Sequence, residues 1–126
     1  LDLGEIEALT LAKQLKANVT VTHISEFFNY KIPIFKRDKL ISKIKEKINT
    51  IAKDTHYKIG NIIFEIGEPA HKIIEIAKNN LIDLIILATH QRKGIEKFFL
   101  GSISEKVLMY SNIPVLILPP SNYELS

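Results

Sequence analysis

Leu81-Ile82-Asp83-Leu84-Ile85-Ile86-Leu87-Ala88 is the stretch whose reading decides the fold. It is apolar at both alternating sets of positions, with Asp83 as its one charge. A strand of that kind keeps both faces out of water, as interior strands of parallel sheets do. Parallel strands need long crossovers, and helical patterns flank this run on both sides. Upstream, Gly67-Glu68-Pro69 turns the chain, and Pro69 suits the first helical position because an N–H there would lack a partner anyway. Ile73, Ile74 and Ala77 carry that helix to a stop at Asn79-Asn80. Downstream, Ser102-Ile103-Ser104-Glu105 has the spacing of a capping box, which predicts a helix to about Tyr110. Asn112-Ile113-Pro114 then leads into a last strand, Val115 to Leu118, ended by Pro119-Pro120.

The same alternation extends towards the N-terminus. Gly60 introduces a strand at Asn61 to Ile66, and Leu40, Ile41, Ile44, Ile48 and Ile51 mark an amphipathic helix from Lys36 to about His56. Ser25 to Phe35 holds Pro33 and several aromatics without a period, so it reads as a loop. Val19 to Ile24 is rich in β-branched residues and alternates, which predicts a strand. Asp2 with Glu5 opens a first helix to about Lys16, carrying Leu3, Ile6, Leu9 and Leu15. The order α-β-α-β-α-β-α-β implies an α/β fold: a parallel sheet with right-handed crossovers and helices on both faces. The 126 residues make one domain, with a tail at 121–126 expected to fray.

Composition removes several classes of function. There is no cysteine, so no disulfide framework or thiolate metal site is available. His23, His56, His71 and His90 are scattered without the spacing of a zinc site. No apolar run is long enough to cross a bilayer and no signal-peptide pattern opens the chain, so the cytoplasm is the expected compartment. The net charge of +3 is modest, and its densest part, Lys36 to Lys47, is interspersed with Asp38 and Glu46. That pattern is a solvated helix face and not a nucleic-acid patch.

Chemistry is expected beyond the carboxyl ends of the strands, where open parallel sheets collect ligands. After the buried run comes Thr89-His90-Gln91-Arg92-Lys93-Gly94, and Gly101-Ser102 later opens a helix. The first turn of a helix offers unpaired N–H groups and the positive end of a dipole, which together attract phosphate. The competing reading is that Ser102 is only an N-cap. His90 has no visible nucleophile or carboxylate beside it, and His23 reads as a partly buried strand residue. Asp83 lies at the amino end of its strand, the wrong end for a phosphoacceptor. No Gly-x-Gly-x-x-Gly or Walker sequence is present.

Ala88-Thr89-His90-Gln91, nine residues, Gly101-Ser102-Ile103-Ser104-Glu105-Lys106-Val107, and then Asn112-Ile113-Pro114-Val115-Leu116-Ile117 together resemble the universal stress proteins. Gly67-Glu68-Pro69 and Val21-Thr22-His23-Ile24 extend the likeness over nearly the whole chain. The resemblance implies an open parallel sheet of order 3-2-1-4-5, an adenine-nucleotide alpha-hydrolase-like (Rossmann-like) three-layer sandwich. It implies a site for ATP or AMP, with Mg2+. Ile24 would pack on the adenine, Leu87 and Ala88 would line the base and ribose, and Gln91 would border the ribose and phosphates. Gly101, Ser102, Ile103 and Ser104 would receive the phosphates, with Arg92 and Lys93 adding charge nearby. It also implies a homodimer through the last strand, Val115, Leu116, Ile117 and Leu118. Ala88 and Gln91 depart from the family's motif, which has glycine at both places. A nucleotide-free member acting through protein association is therefore the second reading, and a slow ATPase the third. Nothing in this chain corresponds to the family's central first strand. The expectation is that a segment ahead of Leu1, or a partner, fills that place.

Overall fold

A computed structural model describes residues 3–25, 34–89 and 100–119. Helices and strands alternate through them: α1 (Leu3–Gln14), β1 (Thr20–Ser25), α2 (Ile34–Thr55), β2 (Asn61–Ile66), α3 (Pro69–Asn79), β3 (Ile85–Ala88), α4 (Ser102–Tyr110) and β4 (Val115–Leu118). The opening Asp2, most of the loop between β1 and α2, His90, Gln91, Arg92, Lys93 and the tail at 121–126 lie outside the described residues.

The strands form two parallel pairs. β1 runs beside β2 from Thr20↔Asn61 to Ser25↔Ile66, and β3 runs beside β4 from Ile85↔Val115 to Ala88↔Leu118. Among the described residues no ladder joins one pair to the other. Leaving strand 1 out of the order 3-2-1-4-5 gives 3-2 and 4-5, which are the two pairs observed. Helices link them instead. α3 packs on β1 and on α4, while α1 packs on α2, β3 and β4.

The core is uneven. Its centre is Ala70 and Ala77 on α3, Ile85 on β3 and Val107 on α4. Ala70 and Ala77 are seven residues apart, hence on one face of α3, and their small side chains admit α4 closely enough to bury Val107 completely. A second buried set, Leu9 and Ala12 on α1 with Ile48 and Ile51 on α2, lies where those helices pack. By contrast, no residue of β1 or β2 is fully buried. His23 is exposed, contrary to the expectation of a partly buried ring; it leans on Phe64 with ring centroids 6.1 Å apart.

The apolar run does not all become strand. β3 begins only at Ile85, and Leu81 is 86% exposed. The cause is the way α3 ends. Leu81 adopts φ 52°, its N–H donates to the Lys78 carbonyl at 3.3 Å, and the Ile82 N–H donates to the Ala77 carbonyl at 2.9 Å. That is a Schellman motif with leucine at the left-handed position where glycine is usual. α1 and α2 close in the same way, with Lys16 at φ 54° and His56 at φ 56°. Their following N–H groups, Ala17 and Tyr57, reach back to the Ala12 and Ala52 carbonyls at 3.0 Å each. No described helix is long and apolar enough to cross a membrane.

Candidate functional site

The starts of α3 and α4 show what separates a closed helix terminus from an open one. At α3, Glu68 is the N-cap: Oε1 accepts from the Ala70 N–H at 3.2 Å and Oε2 from the His71 N–H at 2.8 Å. The His71 amide is the main reason that this carboxyl is held below its usual range, with help from Ala70 and Lys106 against partial desolvation. Lys106 Nζ stands 3.9 Å from the same Oε1. A negative charge already occupies the positive end of this helix, so it has little use for a second anion.

α4 is the reverse. Its N-cap is Gly101, with φ 86° and ψ 154°, and among the described residues no side-chain cap hydrogen bond closes the terminus. This corrects two expectations: Ser102 is not the cap, and Ser102 to Glu105 do not form a capping box. Ser102 is the first helical residue, because a glycine precedes it that can hold a backbone angle barred to other residues. The Glu105 N–H makes the first helical bond, to the Gly101 carbonyl at 3.0 Å. The N–H groups of Gly101, Ser102, Ile103 and Ser104 are therefore the four that a helix leaves without internal partners. Among the described residues, a Cβ added at Gly101 would meet nothing within 4 Å.

Not every expected residue offers its side chain. Ile103 and Leu87 both pack against the buried cluster around Val107, which brings the first turn of α4 and the carboxyl end of β3 onto one core. Ser104 is buried, whereas Ser102 is exposed. Ala88 is half-buried as the last residue of β3. Ile24 sits near the end of β1, in the other strand pair. Gln91 lies outside the described residues. The structure gives a bond to Thr89, which the sequence reading quoted without a role: it is 9% exposed, and its hydroxyl donates to the Leu118 carbonyl at 3.0 Å.

The basic helix offers no competing site. A groove lined by Ser42, Lys45, Glu46, Asn49, Thr50 and Lys53 belongs entirely to α2. Lys45 Nζ lies 5.8 Å from the Phe64 ring centre, and Lys47 pairs loosely with Glu5 at 3.8 Å. Among the described residues, no group of three His, Cys, Asp or Glu is placed to hold a metal ion.

Parallel strand pairs with crossover helices and an uncapped helix start at the carboxyl end of a strand define an α/β protein of the Rossmann-like kind. Comparison with known proteins makes the class specific: the universal stress protein family matches residues 7–119, and the chain belongs to that family. It is 34% identical over 89 residues to universal stress protein MJ0577 of Methanocaldococcus jannaschii, covering 68% of this chain. It is 32% identical over 122 residues to universal stress protein MJ0531 of the same organism, covering 88% of this chain and 70% of that protein. The chain spans 54% of the length of MJ0577, about half. A crystal structure of a universal stress protein in complex with cAMP superposes with a TM-score of 0.69 at 21% identity, covering 94% of this chain and 86% of that one.

Proposed function

We propose that this chain acts in the stress response as an adenine-nucleotide-binding protein of the cytoplasm, with ATP or AMP held at the carboxyl end of β3. The observation that carries the reading is the first turn of α4, which has no side-chain cap among the described residues, next to a helix start that is already neutralised by Glu68. Gly101, Ser102, Ile103 and Ser104 would receive the phosphates on their backbone N–H groups, and Ser102 would add its hydroxyl. Ala88 would lie under the ribose, where its one methyl group is a small intrusion. Leu87 would contribute backbone, since its side chain is in the core. Ile24 would approach the base from β1, and Gln91 would border the ribose. Mg2+ would enter with the phosphates, because no described cluster of protein ligands awaits it. The solved universal stress protein with cAMP supports an adenine nucleotide as the ligand class.

Isothermal titration of the protein with ATP and magnesium should give saturable heat. No heat at millimolar ATP would overturn the nucleotide reading and favour the alternative, a nucleotide-free member acting through association. That alternative has its own support: among the described residues β4 pairs only with β3, and its residues Val115 to Leu118 are half-buried. An apolar edge of this kind suits pairing with a second copy, kept short by Pro114 and Pro119. Leu116→Glu should then lower the mass measured by light scattering while circular dichroism stays unchanged. An unchanged mass would remove β4 as the dimer strand.

A further inference from the structure

We infer that Thr89 is the positioning residue of the nucleotide site: its buried hydroxyl fastens the carboxyl end of β3 to β4 and so fixes the backbone of Leu87 and Ala88 for the ligand. The inference rests on the nucleotide reading above. Thr89 directly follows β3, and its own N–H donates to the Leu118 carbonyl at 3.1 Å, one step beyond the ladder. Its Oγ1 donates to that same carbonyl at 3.0 Å. A carbonyl oxygen has two lone pairs, and both are now used by one residue.

Packing alone does not ask for threonine here. The side chain is 9% exposed, and a buried hydroxyl is unfavourable unless bonded. Valine has nearly the same shape and needs no partner. The ends of β3 are also unequal. At its amino end the pairing is extended by one backbone bond, from the Ile85 N–H to the Pro114 carbonyl at 2.9 Å. The doubled bond occurs at the carboxyl end, directly after Leu87 and Ala88. A hydroxyl bonded across a ladder is not the signal by itself, since Thr22 makes such a bond to the Ile63 carbonyl at 3.1 Å in the middle of the other pair. What distinguishes Thr89 is its place at the strand's end, with backbone and side chain converging on one acceptor.

The test is calorimetric titration with ATP of the wild type, Thr89→Val and Thr89→Ser. Loss of the hydroxyl should weaken ATP binding about tenfold in Thr89→Val. Thr89→Ser keeps the donor and should stay within about twofold of the wild type. If Thr89→Val does not fold by circular dichroism, Thr89→Ala reads the same loss; failure of both to fold makes the residue structural and overturns the inference. Equal affinity in wild type and Thr89→Val also overturns it, as does an equal fall in Thr89→Ser, which would point to packing and not the bond. Wild type that gives no heat defeats the nucleotide reading and this inference with it. Wild type that binds, unaffected by Thr89→Val, defeats this inference alone.

Discussion

The two strand pairs have the same architecture and very different interiors. Around β3 and β4, the small face of α3 lets α4 pack closely and bury its own Val107 in one cluster with Ile85. Around β1 and β2, no strand residue is fully withdrawn from water, and Phe64 is covered in part by a lysine and a histidine. The phosphate end of the candidate site, Gly101 to Ser104, belongs to the well-packed half. That is the arrangement a phosphate site needs, because N–H groups that must not move are best held by a helix with a fixed underside.

The comparison can be broken most directly in the strands. Ile85→Ala should lower the unfolding free energy in urea by about 2–5 kcal/mol, through lost burial and the cavity left behind. Ile63→Ala, the same change in half-buried β2, should lower it by roughly half as much. Equal losses would mean that the two halves are packed alike. Gly101→Ala comes next. The new methyl group meets no atom, yet φ 86° with ψ 154° is a glycine conformation, so the expected loss is about 1–3 kcal/mol. A thermal scan showing no loss would mean that this turn is relaxed and adjustable. The smallest effects are gains. Leu81→Gly in one half and His56→Gly in the other each relieve a left-handed residue at a helix end, and each should stabilise by about 1 kcal/mol. Similar gains in both halves would show that the helix ends are local devices, indifferent to the core they border.

Much of this was legible in the order of residues. Asn61 to Ile66 and Val115 to Leu118 are strands over the expected spans, and α3 begins at Pro69 as the turn signal indicated, whereas α4 begins at Ser102, one residue earlier than a cap at Ser102 would give. β1 is displaced by one residue from its expected span, a shift within ordinary boundary scatter. The helix ends were harder, because a Schellman motif built on Lys16, His56 or Leu81 carries no glycine to announce it. For the same reason an apolar run promised eight residues of strand and delivered four. At the candidate site, Gly101 and Ser102 stood out as a helix start and Ile103 and Ser104 came with the resemblance to the family, but the choice of cap was not legible, since it depends on the angle that Gly101 adopts. The bond of Thr89 was invisible because its partner, Leu118, is 29 residues away and only the sheet brings them together.

The position of α1 carries a consequence of another kind. The first helix of the chain packs on β3 and on β4, the last strand. Such contacts close a loop of nearly the whole chain, and loops of that size are entropically late to form. During synthesis α1 can dock first on α2, but its contacts with β4 must wait until Val115 to Leu118 have left the ribosome. Folding is therefore expected to end with the docking of β4 against α1, and to be slow for a domain of this size.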